Sequence, residues 1–303
     1  MTTFSDRLYH LGGLPVEMQV PPRAAVYFVH SGSGNANNDG LTPDKALATV
    51  DAAVGKCTAS RGDTIFVLPG HAENLASATA LALDVAGVRV VGIGEGNLIP
   101  TFSTTAAAGC IAISAANVTL QHVRLLANFE TGTTAAITLS AAADGCTLRD
   151  VEFRDTSATF EFLVHVSVAT TVTDLLITKC SFVTAAGSLT NAILFAGTST
   201  DCVIEDSYFF VDSSDDVIDH LAGASVNLVV RNNVIINADT GAAGYCVRYK
   251  SDGTGVAHGN FMAYNKVDAE ISVGAAALWF DNKASNTIAE SGLLDPATSH
   301  AIP

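Results

Sequence analysis

The feature that most restricts how this chain folds is a pattern of about 28 residues that recurs along most of its length. Aligned against itself, the sequence yields VTLQHVRL from Val118, CTLRDVEF from Cys146, LLITKCSF from Leu175, CVIEDSYF from Cys202 and LVVRNNVI from Leu228. A sixth copy, VAHGNFMA from Val256, follows, while VRVVGIGE from Val88 and TIFVLPGH from Thr64 extend the series upstream. Positions one and three of each unit are apolar, as in Val118 and Leu120 or Cys146 and Leu148, which is the alternation of a strand with one buried face. Positions six and eight are mostly apolar too, as in Val151 and Phe153 or Cys180 and Phe182, so two inward-facing strands flank a polar pair that turns the chain. Position five carries His122, Asp150, Lys179, Asp206, Asn232 and Asn260. Asn and Asp suit a corner with left-handed backbone, and their recurrence there predicts a loose asparagine ladder. Such a period, with two or more short strands per repeat, describes a solenoid whose coils stack about 4.8 Å apart. The expected fold is all-β, a single right-handed parallel β-helix of about seven or eight coils.

The chain has 303 residues, 49% of them hydrophobic and only 15% charged, which suits a continuous core and β-rungs better than long surface helices. Fifteen basic against thirty acidic side chains give a net charge of −15, a field that repels nucleic acid and anionic membrane. Mean hydropathy is +0.35, yet no apolar run of about 18 residues free of charge or turn signals interrupts the alternation. The start, MTTFSDRLYHLGGLPVEM, lacks the basic and uninterrupted apolar regions of a secretory signal, so synthesis in a cytosol is expected. The six cysteines show no metal-binding spacing and read as small buried hydrophobes. Cys146 and Cys202 share position one but lie two coils apart, about 9.6 Å, too far for a disulfide.

Four regions are expected: a docking arm over 1–25, a leading strand and capping helix over 26–60, the β-helix over 61–265, and a C-terminal cap over 266–303. In the second region a short helix from about Thr42 to Val54, with Thr42 as N-cap and Pro43 at N1, would cover the open end of the first coil. The segments NNDGLTPDKALATVDAAV and GDTIFVLPGHAEN together resemble the opening module of pectin-lyase-like right-handed β-helix proteins. The resemblance covers about residues 26–265 and implies the same fold. That superfamily contains polysaccharide lyases and hydrolases, bacteriophage tailspikes and non-enzymatic virion proteins, so the fold leaves function open.

Candidate chemistry is sparse. A glycosidase or lyase site needs carboxylates converging from adjacent coils. Asp150 and Asp206 share position five, but Lys179 lies between them, and an ordinary solvated corner is the simpler reading. Position four mixes Gln121, Arg149, Thr178, Glu205 and Arg231, a solvated edge with cross-coil ion pairs. The densest acidic run, VDSSDDVIDH, holds Asp212, Asp215, Asp216, Asp219 and His220 and is the best candidate for a cation site, although it lacks a calcium-loop pattern. His165, in FLVHVSV, reads as a buried, hydrogen-bonded strand histidine rather than a general base. GIGEG over Gly92–Gly96 reads as a coil corner, lacking the lysine and helix of a phosphate loop. No catalytic set and no cofactor emerge.

The ends therefore carry the functional expectation. Phe4, Leu8, Tyr9, Leu11, Leu14 and Val16 make the N-terminal segment sticky without a core of its own, broken as it is by Gly12, Gly13 and three prolines. A sticky arm ahead of a β-helix is similar to phage structural proteins. That resemblance implies a non-enzymatic virion component, a capsid decoration or head-fibre protein, docked on the major capsid protein or another virion protein. It also implies a homotrimer. Trp279 and Phe280 are candidate anchors at the C-terminal end. The competing expectation is a tailspike-type protein that binds or degrades a host glycan.

Overall fold

A computed structural model describes residues 23–130, 132–184, 189–220, 222–239, 244–264, 272–273, 276–286 and 291–294. The chain is a right-handed parallel β-helix, as its repeat predicts. Positions two to four of each unit form one strand, position five turns the corner, and a second strand starts near position seven. Strands at equivalent positions pair in parallel, so Thr119, Thr147, Leu176, Val203, Val229, Val256 and Leu278 form one register column. Arg124, Glu152, Ser181, Tyr208, Val234, Phe261 and Lys283 form another. A third strand per coil builds a separate eight-stranded sheet that includes Ile137–Leu139, Val164–Val168, Asn191–Phe195, Ile218–His220 and Val247–Tyr249.

The core runs along the solenoid axis because period-two alternation places the same position inward in every coil. Val90, Leu120, Leu148, Ile177, Ile204 and Val230 make one buried column. Phe153, Phe182 and Phe209 make another, their rings parallel at 4.6 and 4.4 Å. Such stacking contributes about 0.5–1.5 kcal/mol per pair beyond area burial. Cys146, Cys180, Cys202 and Cys246 are buried and all six cysteines are free thiols.

Position five is the left-handed corner the sequence predicts: φ is between 50° and 56° at His122, Asp150, Lys179, Asp206 and Asn232. The asparagine ladder, however, occupies position six and points inward. Asn260 Oδ1 accepts from the backbone N–H and side-chain amide of Asn233, and Asn282 Oδ1 does the same for Asn260. Asn260 stands at position six rather than five because the sixth unit starts at Gly255, which pairs with Leu228, rather than at Val256. A Cβ at Gly255 would lie 2.1 Å from the Leu228 carbonyl oxygen and 2.9 Å from the Tyr249 ring. The Tyr249 ring crowds the space of a position-one side chain, hiding the repeat's first apolar residue. The first unit likewise starts one residue earlier than expected, at Asp63, because Thr64 pairs with Arg89.

Both ends also differ from expectation. The helix expected over Thr42–Val54 is split into a 3-10 turn, Pro43–Lys45, and an α-helix, Val50–Val54. Between them the chain extends so that Leu47 bridges to Val29 and buries completely. Thr42 makes no side-chain cap; Thr49 does, accepting from Ala52 N–H. Glu73 Oε2 accepts from Val50 N–H at the helix start and from buried His71, fastening this cover to the first coil. At the other end, rung formation continues past residue 265. Ala277–Phe280 and Asn282–Asn286 add parallel strands in register with Gly255–His258 and Phe261–Tyr264.

Candidate functional site

The acidic run of the sequence becomes a defined cluster because the coil closes it against the next one. Ile218 and His220 point inward, so Asp219 lies on the outer side of the eight-stranded sheet, paired in register with Arg248. Asp215 and Asp216 lead into this strand, and one carboxylate oxygen from each of Asp215, Asp216 and Asp219 falls within 4.8 Å of the others. Asp212 is not part of the group; its N–H donates to Thr184 Oγ1.

Asp216 is fully buried. Its Oδ1 accepts from Tyr245 N–H at 2.7 Å, and its carbonyl accepts from the Asn191 amide at 2.8 Å. Arg248 Nε lies 2.9 Å from Oδ2 but out of hydrogen-bond alignment, while its guanidinium sits 4.8 Å over the Tyr245 ring. Burial, with a smaller push from Asp215 and Asp219 that outweighs little of the pull of Arg248, raises the Asp216 carboxyl to about 7. Asp216 therefore exchanges its proton near neutrality. Three carboxylates suit a hard cation. Here Arg248 already provides the positive charge, and a metal would have to compete with it.

The other candidates resolve into structure. His122 donates from Nδ1 to Asp150 and from Nε2 to the Gly94 carbonyl, so both ring nitrogens carry protons and its pKa rises to about 9. This ties up Asp150 and pins the GIGEG corner. Glu205 and Arg231 form the cross-coil ion pair expected at position four. His165 is buried but, contrary to expectation, makes no hydrogen bond. It sits among Phe153, Phe162 and Phe182, and burial lowers its pKa to about 3. His220 Nδ1 donates to Gly223, leaving Nε2 to accept from Ser199 at 2.6 Å, a base-and-hydroxyl pair sealed inside the core. Trp279 points inward against Tyr249 and is core rather than an anchor, while Phe280 faces out and stacks on His258. Phe4, Leu8, Tyr9, Leu11, Leu14 and Val16 lie outside the described residues.

Sequence reasoning missed Arg248 and Tyr245. The signal was present: Arg248 lies 29 residues after Asp219, one period along the same outward column.

The chain matches no protein-family model, and comparison with characterised proteins yields no match. Solved structures do match. A rhamnogalacturonan lyase superposes with a TM-score of 0.50 at 11% identity over 90% of each chain. A family 136 lacto-N-biosidase from Eubacterium ramulus superposes at 0.54 and 10% identity, over 87% of this chain and 64% of that one. The chain thus spans a little under two thirds of the biosidase. These likenesses place it in the pectin-lyase-like parallel β-helix fold.

Proposed function

We propose that this protein is a polysaccharide-degrading β-helix protein whose chemistry resides at Asp215, Asp216, Asp219 and Arg248. The observation that carries the reading is Asp216, a carboxyl pushed up to about 7 beside two further carboxylates and a guanidinium. Glycoside cleavage needs a pair of carboxyls that can face the substrate, which Asp215 and Asp219 would supply, while Asp216, with no exposed side-chain surface, holds its proton behind them. Half-buried Asp215 is the member nearest solvent. Arg248 would hold the negative charge that develops on the leaving-group oxygen as the glycosidic C–O bond breaks, before that oxygen takes its proton. The names of the structural neighbours, a lyase and a glycosidase, support the reading. An acidic site on a chain of net charge −15 favours a neutral or amino-sugar glycan over a polyuronate.

The test is incubation of the purified chain with neutral, amino-sugar and uronate polysaccharides, assaying new reducing ends and unsaturated products. Cleavage is expected, with Asp219→Asn slowing it at least ~100-fold. Absence of cleavage across all three classes would overturn the reading. The virion location and capsid partner rest on residues 1–25 and on resemblance, and enter here as a proposal for where such a protein would be carried.

A further inference from the structure

The outer surface of the solenoid changes character along its length. At position seven, Arg124 and Glu152 form an ion pair between neighbouring coils, but the same column passes through Ser181 to Tyr208, Val234 and Phe261 before ending at Lys283. Tyr208, Val234 and Phe261 are 36–42% exposed. At position two, on the other side of the corner, Thr119 and Thr147 give way to an unbroken apolar column of half-buried Leu176, Val203, Val229 and Val256 that ends in Leu278, 63% exposed. Phe210 and Phe280 add exposed rings beside the two columns. Single exposed apolar side chains are ordinary, but contiguous columns on a parallel sheet are normally covered.

We propose that this face is a self-association surface, packing against further copies of the same chain. Charge favours this face for contact between copies. Copies of net charge −15 repel, whereas on this face Glu205 and Arg231 neutralise each other, and the exposed Lys179, Asp206, Asp281 and Lys283 beside them bring two charges of each sign. The area is adequate: five coils at about 4.8 Å and two strands of about four residues at about 3.3 Å present roughly 600 Å² per chain. A pairwise contact then buries roughly 1,200 Å², where specific interfaces begin. A sugar chain would stack on the rings but has no comparable use for the branched aliphatic column Val203, Val229 and Val256, which fits an interdigitating protein face. Whether the repeat closes as a pair or a ring, the same columns are buried.

Sedimentation of the full chain over a wide concentration range tests this. The wild type is expected at a multiple of its 31.2 kDa mass. The double variant Phe261→Glu with Leu278→Glu is expected to fall to one chain mass with an unchanged circular dichroism spectrum. If that variant fails to fold, Leu278→Lys alone, at the most exposed of these positions, is expected to weaken association by at least tenfold. A monomeric wild type overturns the proposal, as does an oligomer that survives both variants. So does a monomer whose glycan affinity drops with Phe261→Ala, which would assign the face to sugar.

Discussion

At the scale of single residues, burial decides what each side chain does. Phe182 lies between the parallel rings of Phe153 and Phe209 with no exposed surface. Phe182→Ala should cost about 3–5 kcal/mol, read from denaturant midpoints, because the neighbouring rings are fixed by their own coils and cannot close the cavity. Titratable residues yield two opposite pH signatures. His122 has a folded pKa of about 9, above its ordinary 6.5, because Asp150 and the Gly94 carbonyl hold its protonated form. Its contribution is complete below pH 6.5 and is lost as pH rises through 9; His122→Gln should flatten that loss in thermal melts. Asp216 has a folded pKa of about 7 against 3.8, chiefly through burial, so the native state binds the extra proton between those values. Stability from this group falls as pH rises from 3.8 to 7, and Asp216→Asn should remove the fall from the same melts.

At the scale of elements, the corner and the ladder do separate jobs that the sequence presents side by side. Position five supplies left-handed backbone, which Asn and Asp adopt readily and Lys179 adopts only at a steric cost. Lys179→Asn should therefore stabilise by up to about 1 kcal/mol, measurable by chemical denaturation. Position six supplies the ladder, where each asparagine side chain accepts from the coil before it and donates to a strand carbonyl, as Asn260 does to Val230. Asn260→Ala orphans the Asn233 N–H and removes a side-chain donor from the Val230 carbonyl, at a cost of about 1–3 kcal/mol for the buried N–H left unmade. Faster amide exchange confined to the coils around residues 228–264 would confirm it, since coils interact with their neighbours only. The two roles were conflated in the sequence because Asn232 and Asn233 are adjacent and Gly255 concealed the offset that separates them.

At the scale of the whole molecule, a net charge of −15 on a continuous core means that long-range repulsion works against the folded rod. Raising ionic strength should raise the melting temperature, and should promote association if copies meet through the apolar face, because salt screens repulsion but leaves apolar burial intact. A constant melting temperature from low to high salt would contradict this.

The sequence by itself determined the coil. A period of about 28 residues with alternation inside it has one solution, since stacking each unit on the next is the only way to bury every inward column. It determined the left-handed corners for the same local reason. What only the tertiary structure decided was which outward residues meet. Asp219 and Arg248 are a full coil apart in sequence yet neighbours in the sheet, and the partial neutrality of Asp216 depends on burial contributed by the following coil. Local pattern sets which face a residue occupies, whereas charge regulation depends on through-space neighbours and on exclusion of water, and both exist only once the coils have stacked.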